Sequence, residues 1–205
     1  MGKNKEKELL KIEEIIINAK NSPLYLYRVK NNFETVVGEG NSEAKVMFIA
    51  EAPGINEAKT GRHFQGAAGK IFDQLLNLIN LKREDIYITN IVKDKLPENR
   101  DPSDEEINFY GPFLIRQIKT IQPEIIVTVG RFSSNFLLKR CKQEIQGMNK
   151  IHGRVSPIKC SYGECKLIPV FHTAAALYNQ NLLETMKKDF LEIEKLIKDL
   201  ELKNG

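Results

Sequence analysis

This chain predicts an α/β domain with a parallel sheet, and three observations support that class. Four short apolar runs rich in β-branched residues recur along its 205 residues, segments of helical periodicity separate them, and polar or glycine-containing turns follow the runs. Runs apolar on both faces suit strands buried in a parallel sheet. The length and 41% hydrophobic content fit one well-buried domain spanning residues 1–205.

The elements follow in order. Leu9, Leu10, Ile12, Ile16 and Ile17 recur at roughly helical spacing over residues 5–20, and Asn21-Ser22-Pro23 ends that helix. A mixed segment with Val36-Val37 leads to a strand over residues 45–51, left through Glu51, Pro53 and Gly54. Ile71, Leu75, Leu78 and Ile79 mark an amphipathic helix over residues 69–81, which crosses back before a second buried strand at residues 86–92, a right-handed βαβ unit. Ser103 with Glu106 three residues on predicts a capped helix to about Gln122, stopped by Pro123. Residues 125–129 form a third strand, 132–139 a short helix, 151–166 a hairpin turning at Ser161-Tyr162-Gly163, and 167–171 a fourth strand. Pro169 cannot donate to a ladder, which makes this the least supported of the four. A last helix spans residues 181–202.

The net charge of +4 and pI near 8.8 permit nucleic-acid binding without establishing it, because many lysines alternate with glutamates on solvated helix faces. No apolar run approaches the ~20 residues that span a bilayer, and the Lys/Glu-rich start lacks a signal-peptide core, so a cytoplasmic protein is expected. Met1-Gly2 is no myristoylation signal, since Glu6 stands where Ser or Thr is required. Cys141, Cys160 and Cys165 are too few for a disulfide scaffold, and the C-x4-C pair lacks a second metal-spaced pair; a hairpin with two incidental thiols is the expectation.

The most informative stretch is Val46 to Gly69. Glu51 and Asn56 offer hydrogen bonds to a ligand edge, Phe64 offers a stacking face, and Gly54, Gly61, Gly66 and Gly69 let backbone approach closely. In an open parallel sheet, ligands bind at the carboxyl ends of the strands. Glu51, Asn90, Val129-Gly130 and Phe171-His172 lie at four such ends, so polar residues distant in sequence converge on one rim.

The stretches GEGNSEAKVMFIAEAPGINEAKTGRHFQGAAG, YITNIVKDKLPENRDPSDEE, QPEIIVTVG and VFHTAAAL, in this order and spacing, resemble the family 4 uracil-DNA glycosylases over most of residues 19–195. The resemblance implies an α/β/α sandwich with a central four-stranded parallel sheet, and hydrolysis of the N-glycosidic bond of deoxyuridine by base flipping to leave an abasic site. Phe64 would stack on the base, Asn90 would pair with its edge, and His172 would donate to O2. Ala52 and Gly54 would line the pocket beside Glu51, and Glu57 would guard the C5 side. Chemistry accounts for these types: an Asn amide satisfies O4 and N3–H of uracil while cytosine presents the reversed pattern. A donor preorganised at O2 stabilises the departing base by ~3 kcal/mol. The loop Thr173 to Tyr178 would face the duplex, with Leu177 as the wedge and Tyr178 as runner-up. Lys59, Arg62, Lys93, Lys95 and Arg154 are candidates for phosphate contact.

Two departures matter. Family 4 enzymes hold a 4Fe-4S cluster on four cysteines, whereas this chain has Ala19, Ser22, Asp94 and, at or next to the fourth position, Tyr110, which predicts no cluster and a region held instead by packing of Leu24, Tyr25, Phe109 and Tyr110. Thr173 replaces the usual Pro after the histidine, which loosens the loop. Ala52 stands where the best-known uracil glycosylases keep a water-activating carboxylate, leaving Glu51 and Glu57 as the nearest candidates. The expected partner is uracil-containing DNA, met by a monomer. The alternatives are a clusterless module that binds uracil or another deaminated base without efficient cleavage, and an enzyme for hypoxanthine or xanthine.

Overall fold

The computed structural model describes residues 2–204. Its elements in chain order are α1 (Gly2–Ile17), α2 (Tyr25–Lys30), β1 (Glu39–Gly40), β2 (Val46–Ala50), α3 (Ile55–Thr60), α4 (Ala67–Leu78), β3 (Tyr87–Asn90), α5 (Asp104–Ile121), β4 (Ile125–Val129), α6 (Arg131–Arg140), α7 (Met148–Ile151), β5 (Ser156–Cys160), β6 (Gly163–Val170) and α8 (Gln180–Asn204). The strands form one sheet in the order β1-β3-β2-β4-β6-β5.

The four predicted strands are the parallel centre of that sheet: β2 pairs with β3 from Met47 opposite Tyr87 to Ala50 opposite Asn90, β2 with β4 from Val46 opposite Ile125, and β4 with β6 to Val129 opposite Val170. Two further strands correct the expected count to six, β1 antiparallel to β3 and β5 antiparallel to β6. Edge strands escape a search for apolar runs because only part of one face is buried. β1 has two residues, and in β5 only Ile158 is buried. The hairpin turn is at Ser161-Tyr162 as expected, and Cys160 and Cys165 meet there with sulfurs 3.0 Å apart as free thiols.

Alternation along the strands builds a core on each face. Val46, Phe48 and Ala50 with Val127 and Ile168 pack against Phe72, Leu75 and Leu76 of α4 and Met186, Phe190 and Ile193 of α8. Met47, Ile49, Ile126 and Leu167 pack on the other side against Leu114, Ile118 and Ile121 of α5 and Leu137 and Leu138 of α6. The result is three layers, as the resemblance implied. Ser103 caps α5 as read: its Oγ accepts from the Glu106 N–H at 3.2 Å, and its own N–H donates to Glu106 Oε2 at 2.7 Å.

Pro169 fits a central strand because of the direction its backbone faces. Its carbonyl accepts from Gly153 N–H at 2.8 Å, so its nitrogen also points away from β4 and beyond the reach of β5, whose pairing ends at Leu167. No ladder bond is lost there. α1 begins and ends three residues before the predicted span of 5–20, and α3 turns a stretch read as loop into a short helix.

Candidate active site

The loops after β2, β3 and β6 open onto one cleft of about 690 Å³. Glu51, Ala52, Gly54, Asn56, Glu57, Phe64, Asn90, His172, Leu177 and Tyr178 all line it, so residues from three separate motifs share one cavity.

Phe64 forms the stacking wall. Its ring lies 4.0 Å from Phe72, nearly parallel at 9°, which holds one face in the core, and the residue, 5% exposed, contributes to the cleft lining. The residue sits in the left-handed region at φ 50°, where a non-glycine residue is uncommon. Arg83 fixes that conformation, donating to the carbonyls of His63 at 2.7 Å and Phe64 at 2.8 Å while paired with Asp73 and Glu39. Gly69 is required at the start of α4, since a Cβ there would meet the Phe64 carbonyl oxygen at 1.8 Å.

Asn90 ends β3 and is buried at 4% exposure, with its Nδ2 3.3 Å from Nδ1 of His63. His172 follows β6, and its Nδ1 accepts from the Ala174 N–H at 3.2 Å. That bond leaves the ring proton on Nε2, and burial pushes the imidazole pKa down, so a neutral donor faces the cleft. Glu51 has its carboxyl pushed up to about 7 by burial and then by Asp101, against the pull of Arg131. Glu57 is committed to its surroundings: its carboxylate accepts from the Gly54 N–H and from the backbone at Gln65 and Phe64, tying α3 to the stacking loop. Burial raises its pKa while those bonds and Lys95 lower it.

The comparisons bear directly on this arrangement. The family model for the uracil DNA glycosylase superfamily matches residues 37–201. This chain belongs to that superfamily. Among its relatives are the type-4 uracil-DNA glycosylases of Sulfurisphaera tokodaii, 41% identical over 92% of this chain and 84% of the relative, of Saccharolobus solfataricus, 40% identical over 84% and 79%, and of Archaeoglobus fulgidus, 39% identical over 83% and 85%.

Within this superfamily member, the expected phosphate contacts divide. Lys93 is not available to DNA: it is fully buried, and its Nζ donates to Thr89 Oγ1, the Asn90 carbonyl and Gln117 Oε1 at 2.5 to 2.6 Å. Those three acceptors oppose the desolvation that drives its pKa well down. Its role is to brace the end of β3 under Asn90. Lys59 and Arg62 are exposed outside the cleft, Arg62 paired with Glu39 at 3.2 Å. Leu177 and Tyr178 stand at the cleft mouth, 45% and 90% exposed. Sequence reasoning passed over His63, Gln65, Asn99 and Arg100, which also line the cleft. Arg62-His63-Phe64 read as a polar loop, and only its burial distinguishes His63.

The cluster positions do not fit an iron-sulfur group. Ser22 Oγ and Tyr110 OH are 2.6 Å apart, Tyr110 OH donates to Asp94 Oδ2 at 2.6 Å, and Arg28 lies 3.8 Å from Asp94 Oδ1. Arg28 in turn donates to Thr35 Oγ1 and the Ile17 carbonyl. A hydrogen-bonded acid, phenol and hydroxyl occupy three of the places, with no thiolate among them. The expected packing is partly right: Leu24, Tyr110 and Phe109 join a small core with Ile12 and Ile16, whereas Tyr25 instead lies under the Arg28 guanidinium. Among the described residues no group of three His, Cys, Asp or Glu side chains is arranged to hold a metal ion, and no helix is long and apolar enough to cross a membrane.

Proposed function

We propose that this protein is a cytoplasmic uracil-DNA glycosylase working as a monomer without an iron-sulfur cluster: it takes a flipped deoxyuridine into the cleft and hydrolyses its N-glycosidic bond. The observation that carries this reading is the meeting of Phe64, Asn90 and a tautomer-fixed His172 in one cavity. Phe64 stacks on the base, worth roughly 1–3 kcal/mol toward the cost of extrusion. Asn90 presents a donor to O4 and an acceptor to N3–H.

As the C1′–N1 bond breaks, its electron pair moves onto the base, and Nε2–H of His172 donates to O2, where negative charge collects. A water oxygen bonds to C1′ and gives its proton to Glu51, whose pKa near 7 suits a general base at neutral pH. The proton taken up by Glu51 then passes through solvent to N1 of the departed base, so the products are free uracil and an abasic site, with no strand cut. Ala52 and Gly54 line the pocket beside Glu51, and Glu57 serves by holding the stacking loop. Leu177 fills the vacated stack with Tyr178 beside it, and Lys59 and Arg62 contact phosphates at the periphery.

The test is incubation with labelled single-stranded and duplex DNA carrying one uracil, then alkali to cut abasic sites, with N90A and H172A alongside. Strand cleavage with the wild type and a fall of about a hundredfold or more in both variants are expected. Binding without release would favour a recognition module, and equal rates in the variants would overturn the site. Iron analysis of the purified protein checks the cluster, with none expected.

A further inference from the structure

Cys160 and Cys165 share one face of the β5–β6 hairpin, at the end of β6 opposite to His172. The ladder sets Cys160 across from Gly163 and Cys165 across from Ile158, so the two side chains are diagonal neighbours within reach of each other. Their sulfurs stand 3.0 Å apart, and a movement of about 1 Å brings them to bonding distance. Both are free thiols.

Their surroundings differ. Cys165 is sealed at 2% exposure, whereas Cys160 is half-buried and lines a cavity of about 280 Å³ together with Cys141, Tyr162, Lys119, Arg140 and Lys159. Three cations around a partly open thiol make an electropositive setting in which a thiolate persists; inert structural cysteines sit in apolar surroundings instead. The hydrogen bond from Cys165 draws the Cys160 pKa down against the effect of burial, and the same bond, with burial, pushes Cys165 up. Cys141 borders the same cavity, but burial pushes its thiol up.

We propose that Cys160 and Cys165 form a modification site for hydroperoxides, Cys160 attacking and Cys165 resolving, which closes a reversible disulfide across the hairpin. The Cys160 thiolate, its proton already given to solvent, attacks the terminal oxygen of ROOH. The O–O bond breaks, the alkoxide leaves and takes a proton from solvent as ROH, and Cys160 becomes a sulfenic acid. The Cys165 sulfur then bonds to the Cys160 sulfur, the S–O bond breaks, and hydroxide leaves with the Cys165 proton as water. Two electrons pass from the sulfurs to the peroxide, and a dithiol reductant restores them. The inference is independent of the uracil reading, because its test reads thiols alone.

The reduced protein is treated at pH 7 with hydrogen peroxide, then denatured and titrated for free thiols, with peptide mass mapping and with Cys141→Ser, Cys160→Ser and Cys165→Ser alongside. Wild type is expected to fall from three thiols to one, with a Cys160–Cys165 link that dithiothreitol reverses. Cys141→Ser forms the same link, Cys165→Ser stops at a Cys160 sulfenic acid that dimedone traps, and Cys160→Ser keeps both of its thiols. The folded wild type reacts about tenfold faster than the same chain in denaturant. Equal rates in the folded and denatured wild type, a link through Cys141, or oxidation of Cys160 to the sulfinic acid without a link overturns the inference. So does loss of thiols from Cys160→Ser at the wild-type rate.

Discussion

Glu51 leaves β2 with a carboxyl that titrates near 7 instead of 4.5, and this sets activity against stability. The folded state holds the proton longer than the unfolded chain does, so the stabilising effect is present below pH 4.5 and lost as pH rises toward 7. Excision runs the other way. Its rate is expected to fall with a midpoint near pH 7 as Glu51 protonates, with a single-turnover pH profile as the measurement. Glu51→Gln loses the profile and most of the rate, yet at pH 8 it melts higher than wild type, by at most about 2 kcal/mol once solvent screening of this partly exposed group is discounted. Thr173 offers a second case. It is buried with its hydroxyl unpartnered, it opens the turn after His172, and His172 already has φ −68° and ψ 130°, the extended geometry that a following proline demands. Thr173→Pro is expected to stabilise by about 0.4–1 kcal/mol, a rise of a few degrees by calorimetry, without loss of uracil release.

At the scale of elements, the segments that frame the cleft are secured by polar bonds as much as by packing. α1, α2 and α5 meet where Ser22, Tyr110, Asp94 and Arg28 join, so Tyr110→Phe removes the donor to Asp94 Oδ2 and leaves Ser22 Oγ with the Leu24 N–H alone. A loss of about 1–3 kcal/mol, seen as a lower melting temperature with the single-turnover rate retained, is the expected outcome. The stacking loop depends on Arg83 in the same way. Arg83→Ala leaves the Phe64 carbonyl without its donor and the His63 carbonyl with Gln65 Nε2 alone, and frees Phe64 to leave its left-handed conformation, so weaker binding of uracil-containing DNA and slower release are both expected, measured by titration and single-turnover assay. The helix periodicities and the Ser103 cap were legible because they depend on near neighbours in sequence. The edge strand β1 was not, because its partner lies 47 or more residues away and it has only two residues, whereas β5 was legible only as one arm of the hairpin, its apolar content being slight.

For the molecule as a whole, three layers place the ends of β2, β3 and β6 on one rim, and the exposed Leu177 and Tyr178 stand beside the cleft they open. If these two side chains fill the gap left by a flipped base, Leu177→Ala lowers release from duplex DNA by about tenfold while release from single strands, which have no stack to refill, stays nearly constant. A paired assay on the two substrates checks this. What the sequence determined by itself was the class of fold, the four parallel strands, and the presence of Glu51, Phe64, Asn90 and His172 at loop positions, because buried strands and glycine-rich turns leave local patterns. Tertiary structure alone decided which polar residues face the cleft. Lys93 reads like any loop lysine and is sealed beneath Asn90, while His63 reads like a solvated loop residue and is buried against it. Burial is settled by what packs from the far side of the fold, and no window of sequence contains that partner.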